Sequence, residues 1–359
     1  MQYRTVPGTD LKLSLLGFGN FVFGTNWWGE FTDEQGVALQ NQAFDLGVTF
    51  FDTAAAYGNG RAESLLAQTI RYAGRDNLVI STKFGYDFYK TPGEEGGHAE
   101  RPQDFSPTFL RFDLEQSLKR LQIDCIDLYQ AHNLKLPQFK DELFDLMSQF
   151  QKEGKIRYWG VALGPAIGWR EEGHLSFARG AAVVQTVFNM YEQDPGREFC
   201  KTAELLGRGG VISRVPMNSG ILDEEFTSPD HRFPANDHRK FRDKNWLIYG
   251  LKKNEILRPM AKKLGLSLRQ IAFAWLAHFP QQVSIEPNLL NLQDVKDFCV
   301  AADAPALSPE LLTDIHRLYE CDFDLGELAH PCDWKSSVEP NGKIRSSYQE
   351  PVITQGNLL

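Results

Sequence analysis

Four side chains able to hold or move a proton stand at the ends of apolar runs. Asp52 closes FFD in the stretch FFDTAAAYG, and Tyr57 follows five residues later with only small residues between. Lys83 lies near the end of VISTKF and His132 ends LYQAH. Singly, each has an ordinary explanation: Asp52 a helix cap, Lys83 a strand-end side chain reaching water, His132 a satisfied core histidine. Together they suit proton transfer to an oxygen. A phenol with a pKa near 10 is a poor acid at neutral pH. A lysine ammonium about 4 Å away, at an effective dielectric near 20, favours the phenolate by up to roughly 4 kcal/mol, about 3 pKa units. Burial alone would discharge the lysine, and a paired Asp52 opposes that. His132 would then orient the reacting oxygen or share its proton.

These residues need a scaffold that brings strand ends together. YRTV and LKLS, turning at Pro7-Gly8-Thr9-Asp10, spell a hairpin. Strands are expected at 15–19, 49–53, 78–84, 125–132, 156–162, 183–189, 211–215 and 283–287, with helical segments such as 33–47, 106–122 and 136–154 between them. In the last, Phe139, Leu143, Leu146, Met147 and Phe150 mark one apolar face. Alternating β and α elements imply a parallel sheet, and eight strands favour an α/β fold of the closed (β/α)8 TIM barrel type, with a doubly wound open sheet as the alternative. Every strand's C-terminal end then points to one mouth, which gathers Asp52, Tyr57, Lys83, His132 and Gln185 of VVQTV. Long connections after the third strand (86–105) and the seventh (222–246) lie on that face. The barrel is expected over 1–320, with an irregular C-terminal tail, 321–359, packed on or near it.

Composition excludes several classes. A net charge of −9 without a basic tract disfavours nucleic acid. No apolar stretch approaches the roughly 18 residues of a membrane span, and MQYRTVPGTDLKLS is no signal peptide. Five scattered cysteines fit a reducing compartment, and the histidines show no metal-binding spacing. The expected setting is cytoplasmic, without metal, membrane or nucleic-acid partner.

The chain resembles the aldo-keto reductases from the hairpin to about Asp297. FFDTAAAYGNGRAE is similar to the family's strand-two motif, ISTKF to its lysine motif, SLKRLQIDCIDLYQAHN to its helix-and-histidine motif, and VPMNSGIL to the segment after strand seven. The resemblance implies a tetrad of Asp52, Tyr57, Lys83 and His132. It implies hydride transfer between a nicotinamide and the carbonyl or alcohol carbon of an aldehyde, ketone or sugar, with Tyr57 as general acid and base. The cofactor implied is NADPH/NADP, with NADH/NAD as the alternative. Gln185 matches the carboxamide-binding residue and Arg214 the position that stacks on the nicotinamide. Val215, Pro216, Met217, Ser219 and Gly220 match the stretch beneath the pyrophosphate, and Gln293 the adenine-side glutamine, with Asn288 on the segment after strand eight. Trp27, Trp28 and Tyr86, with Tyr57 and His132, are the expected substrate contacts.

Two departures stand out. Ala162 and Leu163 replace the Ser-Asn pair that helps hold the carboxamide, and Ile285-Glu286-Pro287-Asn288-Leu289 replaces a Gly-rich phosphate segment, so that Glu286 could face a 2′-phosphate. The altered carboxamide site supports a second expectation, a cofactor-sensing or regulatory protein on the same fold. A short-chain dehydrogenase signature, Tyr86-x-x-x-Lys90, runs into Thr-Pro-Gly and lacks the helix it needs. His231 and His238 are expected at the surface of the second long loop, with contact to a ligand as the alternative.

Overall fold

Leu16 bridges Ile285 in parallel register, with Gly17 N donating to Ile285 O at 2.9 Å and Ile285 N to Leu15 O at 2.8 Å. That contact joins the two ends of an eight-stranded parallel sheet and closes it into a barrel. The structure, a computed structural model, describes residues 1–25, 27–90, 100–164, 169–331 and 335–347. The strands are β3 (Phe18–Gly19), β4 (Phe50–Asp52), β5 (Val79–Phe84), β6 (Ile126–His132), β7 (Ile156–Ala162), β8 (Val183–Val187), β9 (Gly210–Arg214) and β10 (Gln282–Glu286), each paired with its sequence neighbour. The open-sheet alternative is thereby ruled out. The strand expected over 15–19 pairs as only two residues because Leu15, Leu16 and Gly17 make the closing contacts to β10.

Before the barrel, β1 (Tyr3–Thr5) and β2 (Lys12–Ser14) form the expected antiparallel hairpin. Val6, Leu11 and Leu13 pack with Phe50, Leu128, Val183, Ile212 and Val283 from the barrel strands. The hairpin therefore plugs the end where the strands begin, and ligand access is left to the other.

Helices cover the outside, and their starts follow from capping chemistry. Thr32 with Gln35 and Ser267 with Gln270 make reciprocal capping boxes for helices Asp33–Asp45 and Leu268–Ala277. Ser106 caps helix Pro107–Leu121, whose first residue is the proline that needs no amide partner there. The helix expected over 136–154 runs Asp141–Lys152, because Pro137 sits in a separate 3-10 turn over Leu136–Gln138. Its Leu143, Leu146, Met147 and Phe150 are buried, while Phe139 lies in the connection.

Two irregular segments frame the mouth. After β9, Arg239 forks onto Asp237 and Glu225 and stacks over Trp28 at 4.3 Å, which fastens that loop against the segment following β3. In the tail, Ser337 N donates to buried Glu172 at 2.7 Å and Ser347 N donates to Glu100 at 3.0 Å. The middle of the first long loop, 91–99, lies outside the described residues, as does the end of the tail.

Candidate active site

Asp52 is the last residue of β4 and is almost fully buried. A carboxylate there needs a partner, and it has several. Lys83 Nζ, from β5, bonds Asp52 Oδ2 and also donates to Thr53 O at 2.8 Å. Gln130 Nε2, from β6, donates to Asp52 Oδ1 at 3.0 Å. The helix-cap alternative fails, since the next helix, Arg61–Ala73, is capped by Gly60. Ala54 and Ala55 are buried in the tight turn that follows, and Tyr57 N donates to Ala54 O at 3.1 Å. Only small residues let the chain reverse so close to the barrel. Tyr57 then lies against Gly24, where a Cβ would stand 2.5 Å from the tyrosine Cβ.

The turn delivers the phenol to the other groups. Lys83 Nζ lies 5.1 Å from the Tyr57 ring centroid, and the His132 ring centroid lies 5.7 Å from it at an interplanar angle of 82°. Phe21 also packs edge-on against Tyr57, with centroids 5.1 Å apart. Asp52, Tyr57, Lys83 and His132 therefore meet in one cluster.

The electrostatics correct one expectation. Burial would discharge Lys83, but its acidic neighbours, Asp52 foremost, outweigh it and hold the ammonium above its ordinary pKa. Burial also acts on Tyr57, and there it wins: the phenol sits above its ordinary value although Lys83 pulls it down. Lys83 thus limits a desolvation penalty rather than making Tyr57 acidic outright. His132 is pushed well below its usual range, first by burial and then by Lys83 and Arg214. It is a neutral imidazole, which suits orienting an oxygen and disfavours carrying a second proton.

The cleft above this cluster is lined by Trp27, Trp28, Gln185, Arg214, Val215, Pro216, Met217, Ser219, Gly220 and Asn288, together with Asp52, Tyr57 and His132. Arg214 Nη2 donates to the carbonyls of Leu163 and Gly164, so the guanidinium is fixed where the Ser-Asn side chains are lacking. Val215, a β-branched residue, has φ of 53°, and Asn218 and Ser219 are also left-handed. Such backbone is costly, and here it folds 215–220 into the cleft wall.

Other expected contacts fall elsewhere. Tyr86 is buried behind His132, its ring 4.9 Å away and its hydroxyl bonded to Asn133 and Glu100. It backs the histidine and is not part of the cleft lining. Gln293 is exposed, and its amide donates to Asp297 one helical turn on. Lys90 pairs with Asp87 and Asp104 in a turn rather than a helix, which disposes of the short-chain dehydrogenase signature.

Two residues whose placement the sequence left open have definite positions. Glu286, at the end of β10, lines the cleft. It lies buried at the barrel mouth, accepting from Gln185 Nε2 at 3.0 Å. His238 takes the ligand-side alternative: it lines the cleft and stacks on Trp27 with ring centroids 5.5 Å apart. His231 is exposed, as expected, and packs against Phe226 and Phe233.

Residues 15–320 match the model of the Aldo/keto reductase family. The chain belongs to that family. Curated relatives of this aldo/keto reductase include a probable voltage-gated potassium channel subunit beta of Oryza sativa subsp. japonica, 27% identical over 89% of this chain and 97% of the relative. A probable aldo-keto reductase of Glycine max is 28% identical over 89% and 88%. Solved structures of similar fold include an aldo-keto reductase of Bacillus halodurans in its holo form, with TM-score 0.72 and 22% identity over 89% of this chain and 96% of that one. The glycerol dehydrogenase of Gluconobacter oxydans aligns with TM-score 0.75 and 23% identity over 88% and 94%.

Proposed function

We propose that this aldo/keto reductase is a nicotinamide-dependent oxidoreductase that interconverts an alcohol with the carbonyl of an aldehyde, ketone or sugar. The observation that carries the reading is the buried Lys83–Asp52 ion pair beside the Tyr57 ring, with neutral His132 across from it. Gln185, Arg214 and the 215–220 segment would hold the cofactor, whose nicotinamide supplies or accepts the hydride when bound. As hydride reaches the carbonyl carbon, negative charge grows on the oxygen. Tyr57 then gives up its O–H proton to that oxygen, and the phenolate left behind is stabilised by the Lys83 ammonium. His132, neutral, donates a hydrogen bond that orients the same oxygen. In the opposite direction Tyr57 accepts the proton.

NADP(H) is the expected cofactor on family grounds, with NAD(H) as the alternative. Glu286 does not argue against NADP(H), because its carboxyl is turned into the barrel mouth. Trp27, Trp28 and His238 give the substrate side an aromatic rim suited to stacking on a flat or sugar-like ligand. A chain of net charge −9 with scattered thiols fits a cytosolic enzyme.

A second reading is a cofactor-sensing or regulatory role. It is supported by the likeness to potassium channel beta subunits and by Ala162 and Leu163 in place of hydrogen-bonding residues. Steady-state turnover on a panel of aldehydes and sugars with each cofactor separates the two. Turnover is expected; cofactor binding with no turnover on any substrate favours the sensor.

A further inference from the structure

The mouth of the barrel holds a second buried carboxyl that the proton-transfer scheme does not use. Glu286 is 8% exposed and lines the same cleft as Tyr57, His132 and Arg214. Its position is built by several strands. On β8, the Nε2 of Gln185 donates to Glu286 Oε2 at 3.0 Å and to Asp52 Oδ2 at 3.3 Å, so one amide group spans two carboxyls. Ahead of β3, Gly17 leaves the room the side chain needs: a Cβ there would stand 2.9 Å from Glu286 Cγ. Glu286 Oε1 is buried and has no hydrogen-bond partner among the described residues.

An ionised carboxylate would not be left with a bare buried oxygen, whereas a carboxylic acid tolerates it better. The charges around Glu286 agree. Burial, then Asp52 on β4, push its carboxyl well above the ordinary range, and Lys83 on β5, Arg214 on β9 and the Gln185 bond oppose them without prevailing. With Glu286 protonated and His132 neutral, the charged groups acting on the Glu286 carboxyl are Asp52, Lys83 and Arg214, one anion against two cations, while Asp223, which also lines the cleft, is paired with Arg269. Such a site suits a neutral or anionic ligand and is poorly matched to a cationic one. Loss of the Glu286 proton is the adjustment within reach.

We propose that Glu286 is the charge-balancing residue of the cleft, neutral when a neutral ring is bound and ionised, with release of its proton to solvent, when the ring is cationic. The inference rests on the proposed nicotinamide reading, in which the oxidised ring is the cation and the reduced ring is neutral. Glu286 would thereby tie the oxidation state of the bound cofactor to one proton and favour binding of the oxidised form as pH rises. It is a positioning and electrostatic group, and Tyr57 remains the proton donor to substrate.

The experiment is isothermal titration calorimetry of the full chain with NAD and NADP, oxidised and reduced, at neutral pH in buffers of different ionisation enthalpy. Wild type should release up to one proton per site on binding the oxidised form and close to none on binding the reduced form. Glu286→Gln should lose that difference, and Tyr57→Phe should keep it, which separates the two buried acids. Should Glu286→Gln not fold, the wild-type affinities decide together with Tyr57→Phe. In both proteins the oxidised form should bind up to tenfold tighter per pH unit while the reduced form stays flat. Equal proton release for both forms, an unchanged difference in Glu286→Gln, or a difference lost in Tyr57→Phe overturns the assignment while leaving the enzymatic reading intact. Failure of every form to bind overturns both.

Discussion

The Lys83 ammonium is bonded to the Asp52 carboxylate and to Thr53 O, and from that fixed position it stands 5.1 Å from the Tyr57 ring. The pair is buried, and a charge buried without its partner is strongly disfavoured. Lys83→Met should therefore lower kcat by about 10²–10⁴-fold, the range of general acid–base contributions. Its Tyr57, losing Lys83, the larger of the two cations that lower it, should titrate still higher. Steady-state kinetics across pH checks both, and a near-wild-type kcat would remove the lysine from the chemistry.

His132 is held below its usual range by burial and by the cations Lys83 and Arg214. The pH profile should accordingly show no limb from this imidazole around pH 6.5, its ordinary value. An NMR titration of the ring should remain flat from pH 8 down to about 5.5. A transition near the ordinary value would return the proton-sharing role to His132.

The absent Ser-Asn pair makes a gain-of-binding prediction. Restoring it with the double change Ala162→Ser and Leu163→Asn offers two new hydrogen-bonding side chains at the end of β7. At about 1 kcal/mol for each hydrogen bond made, cofactor affinity should rise by roughly 5- to 30-fold. Fluorescence titration measures it, and unchanged affinity would show that the carboxamide is gripped elsewhere.

Asp113 provides a stability test away from the cleft. It is fully buried in helix Pro107–Leu121, and burial, then Glu63, raise its carboxyl to about 7. The folded state thus prefers the protonated acid, so the contribution is fully favourable below the unfolded pKa and is lost as pH climbs to about 7. Asp113→Asn should raise Tm at pH 8, by up to a few kcal/mol of stability, with the gain shrinking toward pH 4. An equal effect at both pH values would contradict the titration.

Much of this architecture was legible because alternating strands and helices leave few topologies, and a barrel sends every strand end to one mouth. Asp52, Lys83, His132 and Gln185 could be placed for that reason. Glu286 could not. The register of β10 slips between Gln282 and Ser284, and a one-residue slip decides which face a side chain takes. For His238 the sequence left surface and ligand contact open, because a loop fastened by Arg239 on Trp28 brings it to the cleft, a contact without sequence periodicity. For Tyr57, residue types named the partner that lowers the phenol but not the depth of burial that raises it further.

The most direct measurement is turnover and cofactor affinity of Tyr57→Phe, compared with wild type under the same conditions. With Tyr57 as the proton donor, kcat should fall by about 10²–10⁴-fold while the cofactor dissociation constant changes less than about threefold. Turnover retained within tenfold of wild type would contradict the account.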